Sequence, residues 1–126
     1  MILGIGTDIA KIQRFKEYAE KIAAKHFTQR ERDEIISRKE ILQIAVAKRF
    51  SAKEACGKAL GTAFRNGLYL KNIEILHHEN GQPYAIFSAE AQKILDKLSG
   101  GTPTNIFISI SDDGEYTQTF AVIEKL

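Results

Sequence analysis

No run of about eighteen apolar residues occurs in these 126 residues, so nothing in the sequence predicts a membrane span. Cysteine appears once, at Cys56, which excludes a disulfide within the chain. The start MILGIGTDIAK also lacks the basic beginning, long apolar run and cleavage site of a secretory signal, and a reducing cytoplasm is the expected compartment. Neither charge dominates: 18 Lys and Arg against 16 Asp and Glu leave +2, too little for wholesale nucleic-acid binding. Any electrostatic message must be local. Low-complexity and periodic stretches are missing as well. Gly4-Ile5-Gly6 lacks the third glycine of a dinucleotide fingerprint, since position 9 is Ile9. His26, His77 and His78 have no metal-ligand spacing with Cys56, which argues against zinc, and they read as surface residues.

What remains is ordinary globular composition, 44% hydrophobic and 27% charged, at a length that fits one domain over residues 1–126 but is small for a two-lobed enzyme. Met1 to Ile5 reads as a buried strand ending at Gly6-Thr7-Asp8, which puts Asp8 at the strand's carboxyl end. Ile12, Phe15, Ala19 and Ile22 carry a helical period over 9–26. Thr28 with Glu31 forms a capping box for a charged surface helix to about Ser37. Glu40 to Leu60 has no glycine or proline before Gly57 and predicts a long helix. Its many small residues (Ala45, Ala47, Ser51, Ala52, Ala55, Gly57, Ala59) mean that something packs close against it. After a loop over 62–72, the runs 73–78 and 83–87 flank Glu79-Asn80-Gly81-Gln82 as a hairpin. Ser88 caps a helix to about Lys97 that Gly100-Gly101-Thr102-Pro103 ends. The runs 106–111 and 116–124 form a second strand pair. The fold class is α+β, a small domain with a largely antiparallel sheet and a long central helix.

Chemistry points to Asp8 and Glu54. Mg²⁺ takes oxygen ligands, commonly one or two carboxylates completed by water and substrate phosphates. The same residues also have ordinary structural uses: Asp8 as a helix N-cap, and Glu54 as the partner of Lys58 four residues on. Ala47, Ser51, Glu54 and Lys58 share one helical stripe, so a carboxylate and an ammonium stand on a face otherwise lined by small side chains. A metal-bound diphosphate needs that combination. On the first predicted helix, Lys11, Arg14, Lys21 and Lys25 cluster on one side, with Glu17 and Glu20 on the other. Such a stripe is either a solvated face or a docking surface for an acidic partner.

Gly4-Ile5-Gly6-Thr7-Asp8-Ile9 and Arg49-Phe50-Ser51-Ala52-Lys53-Glu54-Ala55, with Lys58-Ala59, resemble the holo-acyl-carrier-protein synthase family of phosphopantetheinyl transferases. The resemblance continues through Gly61-Thr62, Gly81-Gln82-Pro83-Tyr84 and Ile108-Ser109-Ile110-Ser111, covering nearly the whole chain. It implies transfer of phosphopantetheine from coenzyme A to a serine of an acyl carrier protein, by a homotrimer whose sites lie between subunits. It further implies Asp8 and Glu54 as Mg²⁺ ligands, Lys58 at the diphosphate, and Arg49, Gly61 and Ser111 near the nucleotide. Arg14, Lys21 and Lys25 become the carrier-protein docking face. The serine's proton goes to Glu54 or to a metal-bound water; the sequence leaves both open.

One position departs from the family pattern. A His followed by Thr or Ser usually comes after the Ser-Ile-Ser run, close to the phosphates, and this chain has Asp112-Asp113. At about 5 Å and an effective dielectric near 20, a carboxylate there repels the diphosphate by roughly 3 kcal/mol. That slows the reaction about a hundredfold unless it is offset. Two rivals to the synthase therefore stand at this stage: another Mg²⁺-dependent phosphoryl transferase or hydrolase on the same carboxylates, and a silent coenzyme A or carrier-protein binding module.

Overall fold

Alternation rather than a helical period governs the N-terminus. Residues 4, 6, 8 and 10 are small or polar, residues 5, 7 and 9 are branched, and a ten-residue partner strand is available at the other end of the chain. In the computed structural model, which describes residues 1–65 and 67–126, β1 therefore runs from Ile2 to Lys11. It pairs antiparallel with β5 (Tyr116–Lys125), which in turn pairs with β4 (Thr104–Asp113), giving the order β1-β5-β4. The expected end at Ile5 is thus too early: Asp8 lies inside the strand opposite Thr119, neither at its end nor capping a helix. The expected helix over 9–26 shrinks for the same reason. A 3₁₀ turn covers Ile12–Phe15, and α1 spans only Ala19–His26. The periodicity still reports burial, because Ile12, Phe15, Ala19 and Ala23 all enter the core.

The charged segment α2 (Gln29–Ser37) begins with the predicted capping box, Glu31 N–H to Thr28 Oγ1 and Thr28 N–H to Glu31 Oε1. It is not wholly a surface helix, since Glu31 is fully buried. The long helix α3 (Leu42–Ala59) follows. A 3₁₀ turn at Leu70–Asn72 leads into β2 (Ile73–His77), which forms a separate hairpin with β3 (Pro83–Phe87). Asn66, inside the loop predicted over 62–72, falls outside the described residues. Helix α4 (Ala89–Ser99) starts after Ser88, whose hydroxyl makes no capping bond, and ends at Gly100 in the left-handed conformation, φ 65°.

Residues Gly4, Gly6, Asp8 and Ala10 face inward from β1, beside Ile123, Ala121, Thr119 and Thr117 of β5. Helix α3 lies across this inner face at unusually short range. A Cβ on Gly4 would sit 1.8 Å from the carbonyl oxygen of Ala59, and one on Gly6 1.9 Å from that of Ala55. The Gly-x-Gly motif is therefore a packing device, and β1 is what the small residues of α3 pack against. Two apolar clusters result. One joins Ala52, Ala55 and Ala59 of α3 to the hairpin, α4 and the large sheet; the other joins the N-terminal half of α3 to α1 and α2.

Candidate active site

The close strand–helix contact brings Asp8 and the carboxyl-terminal half of α3 together. Ser51 Oγ donates to the Asp8 carbonyl at 3.4 Å and receives a bond from Thr119 Oγ1 at 3.3 Å, tying β1, β5 and α3 at this level. Lys58 reaches from α3 to β1, with Nζ 2.9 Å from the Thr7 carbonyl oxygen and 3.6 Å from Asp8 Oδ1. The ion pair it forms is with Asp8, not with Glu54 on its own helix. Partial burial, then the charge of Asp8, push the Glu54 carboxyl above the ordinary glutamate value, with Lys58 acting the other way. A carboxyl whose ionisation burial and a neighbouring aspartate oppose, beside a half-exposed ammonium, belongs to a donor set that a divalent cation would relieve. Among the described residues no group of three or more His, Cys, Asp or Glu forms a metal cluster. Two protein oxygens completed by water and phosphate suit Mg²⁺ better than an all-protein cage.

Asp112 also points inward, on the row Ala10–Thr117–Asp112, and its Oδ1 lies 3.6 Å from Lys48 Nζ of α3. Its charge is therefore partly balanced by a lysine that the sequence reading assigned no role.

Other expected site residues are placed differently. Arg49 is 1% exposed, and its Nη2 lies 2.7 Å from both Glu34 Oε2 and Glu40 Oε2. As placed, it clamps α2 and the start of α3 and is not a free cation for a nucleotide. Ser111 is on the outer face of the large sheet, level with Gln118 and opposite in orientation to Asp8. Within one chain these two side chains do not meet. Gly61 is exposed at φ +85°, where a side chain would be strained. The histidines are not uniformly superficial: His77 donates its N–H to Glu34 Oε1 at 2.7 Å, with Nδ1 3.0 Å from Oε2. Cys56 is fully buried and its thiol is pushed up to about 12, so it stays protonated and inert.

Arg14, Lys21 and Lys25 do come together, lining a groove of about 800 Å³ between the 3₁₀ turn, α1 and α3. Phe15, Tyr18, Ile22 and Phe50 supply its apolar lining. Glu17 lines the same groove rather than the opposite side, whereas Glu20 does face away, toward α2. Lys11 belongs to β1.

Sequence reasoning missed Lys53, the neighbour of Glu54. It is fully buried, with Nζ 2.8 Å from Glu31 Oε1, 3.0 Å from the Leu70 carbonyl and 2.6 Å from that of Ile73. The signal was present: Val46, Arg49, Lys53 and Cys56 form one helical stripe, so two cations lie on a buried face and each needs a buried partner.

A small α+β domain with paired carboxylates and an adjacent ammonium has the donor set of a phosphate-group transferase. The family model of the 4'-phosphopantetheinyl transferase superfamily matches residues 4–120, and the chain belongs to that family. It is 35% identical over 131 residues to the holo-[acyl-carrier-protein] synthase of Phenylobacterium zucineum, covering 100% of this chain and 94% of that one. The crystal structure of holo-[acyl-carrier-protein] synthase from Neisseria meningitidis superposes with a TM-score of 0.82 at 32% identity, over 99% and 100% of the two chains. The enzyme of the same name from Bacillus anthracis, in complex with CoA (3',5'-ADP), gives 0.80 at 29% identity, over 100% and 99%.

Proposed function

We propose that this chain transfers the 4'-phosphopantetheine arm of coenzyme A to a serine hydroxyl of an apo acyl carrier protein and releases 3',5'-ADP. The observation that carries this reading is the meeting of Asp8, Glu54 and Lys58, in a chain similar over its whole length to proteins named for that reaction. Asp8 and Glu54 are the residues to hold Mg²⁺, which when bound supplies positive charge to the diphosphate. Lys58 adds a second positive charge, where nonbridging and leaving oxygens become more negative in the transition state. The serine oxygen forms a bond to the phosphorus nearest pantetheine, and the bond to 3',5'-ADP breaks with its electron pair leaving on the nucleotide. Glu54, whose proton affinity burial and Asp8 increase in the metal-free chain, is the proposed acceptor of the serine proton. Mass spectrometry of an apo carrier protein incubated with coenzyme A and Mg²⁺ tests the whole proposal. A phosphopantetheine mass addition is expected, and an unmodified carrier overturns it.

The proposal extends to a homotrimer. Ile5, Ile9, Phe107 and Phe120 stand on the outer face of the large sheet, each more than half exposed. A contiguous apolar sheet face of this kind marks an association surface. Ser111 lies on that same outer face, so a neighbouring subunit is what can bring it to another chain's Asp8 and Glu54. Phe120→Glu places a charge at the centre of the patch and is expected to give a monomer in sedimentation with little transferase activity. A fully active monomer removes the shared-site reading. The cytoplasm is the proposed compartment, where a single buried thiol needs no oxidising partner.

Coenzyme A binding also depends on the Lys48–Asp112 pair if the diphosphate lies toward this end of α3. Lys48→Ala leaves the carboxylate uncompensated. With both side chains partly exposed the cost is about 1 kcal/mol, so KM for coenzyme A rises roughly fivefold with kcat little changed. Adding Asp112→Asn restores KM. An unchanged KM in the single variant places the diphosphate elsewhere.

A further inference from the structure

His26 ends α1 at the far wall of the basic groove, and its position is electrostatically unusual for an imidazole. Its own helix places Lys25 beside it, α3 contributes Lys53, and the 3₁₀ turn before β2 contributes Lys71. Along the groove lie Arg14, Lys16 and Lys21, with Glu17 the acid among its lining residues. The carboxylates on the surrounding elements are engaged or turned elsewhere: Glu31 of α2 accepts from Lys53, Glu74 of β2 is paired with Arg30, Glu20 of α1 faces away, toward α2, and Glu54 of α3 lies beside Asp8. Among the described residues, the charges acting on His26 are those of Lys25, Lys53 and Lys71, all positive.

We infer that docking an acidic partner in this groove is coupled to uptake of a proton by His26, so that the groove binds its partner more tightly as pH falls below neutral. The inference rests on the reading of the groove as the carrier-protein docking face. Burial first, and the ammonium groups of Lys25, Lys53 and Lys71 next, hold the free imidazole below its ordinary value of 6.5. At pH 7 the unliganded groove therefore carries neutral His26. Partner carboxylates seated among Arg14, Lys21 and Lys25 supply the opposite charge that favours the imidazolium.

The sign follows from linkage. The bound complex has the higher His26 pKa and so holds more protons than the free proteins, and affinity increases as pH falls from the bound value to the free one. One proton limits the slope to about tenfold per pH unit. The apolar lining of Phe15, Ile22 and Phe50 excludes water when a partner is seated, which disfavours the imidazolium by itself while strengthening its attraction to partner carboxylates, and proton uptake requires that the attraction win. Above the bound-state pKa the dependence disappears, and the lysines alone steer the encounter.

Calorimetry of apo carrier protein binding at pH 6.5, in two buffers of different ionisation enthalpy and equal ionic strength, counts the protons taken up. The expected result is a sizeable fraction of one proton for the wild-type chain, most of it lost in His26→Gln, and an affinity several-fold higher at pH 6 than at pH 7.5 that flattens in the variant. Subtracting the variant removes titrations belonging to the carrier and to His77 and His78. Equal uptake in both proteins, or none in the wild type, overturns the inference. Lys21→Glu separates the two layers. If it abolishes binding while His26→Gln leaves proton uptake unchanged, the docking reading stands and only the coupling fails. If it binds like wild type, the docking face lies elsewhere and the coupling falls with it. The His26 ring resonances give an independent readout: their midpoint should rise on saturation with carrier.

Discussion

Glu54→Gln is expected to lower turnover by about a hundred- to a thousandfold while making the metal-free protein slightly more stable. The first effect follows from losing a charged ligand and proton acceptor, groups whose removal from a phosphate-transfer site costs about two to four kcal/mol of transition-state stabilisation. The second follows from the state of Glu54 in the fold. Its pKa is raised from the ordinary 4.5 by burial and by Asp8. A raised carboxyl contributes stability that is present below the unfolded value and is lost as pH rises through the folded one. At pH 7.5 the ionised wild-type residue is thus a small burden, below about 1 kcal/mol because the group is half exposed and screened. Thermal melts with and without Mg²⁺ check both claims together. Saturating Mg²⁺, at a hundred times its Kd, stabilises the wild type by about 2.7 kcal/mol, and the gain should largely vanish in Glu54→Gln. A variant that keeps the Mg²⁺-dependent shift shows that Glu54 does not hold the ion.

Lys53→Met carries the largest expected effect on stability, about 3–5 kcal/mol, because it strands a fully buried carboxylate. Glu31 also accepts from the Thr28 and Ile75 backbone N–H groups, each at 3.0 Å. Its loss of charge balance is therefore felt in α2, α3 and β2 at once. For a domain of this size the melting midpoint falls by roughly 10–20 °C at fixed protein concentration. Lys53→Met combined with Glu31→Gln should recover part of that loss, since no buried charge is left and the single amide oxygen still serves one of the two backbone donors, although the amide NH2 then faces the other. If the double variant melts no higher than Lys53→Met, stranded charge is not the source of the instability. The pair also explains why the stretch before Ile73 sits against α3: the Leu70 and Ile73 carbonyls end on the same ammonium.

Local chemistry was legible wherever short-range physics decides the outcome. The capping box at Thr28 and Glu31, the Asn80-Gly81 hairpin, the end of the fourth helix at Gly100 and the length of α3 each depend on neighbours a few residues away, and each is found as expected. The shared face of Glu54 and Lys58 was also readable, because their spacing on one helix is a sequence property, whereas the approach of Lys58 to Asp8 of β1 is tertiary. What stayed unread was which distant partner each element and charge would meet. β1 runs through Asp8 to Lys11 because β5, more than a hundred residues later, supplies its hydrogen bonds. Arg49 belongs to Glu34 and Glu40, and Asp112 belongs to Lys48, through contacts made only once α3 lies on the sheet.

The sequence alone determined the class of the protein, because its motifs run in order along nearly the whole chain, and it set which charged side chains are available to a site. Only the tertiary structure decided which charges are free to act. Lys58 remains half exposed beside Asp8, whereas Arg49 and Lys53, of the same sign and on the same helix, are buried and ion-paired in the interior. The physical reason is burial: an ion removed from water must be paired, and the fold determines which ones are removed.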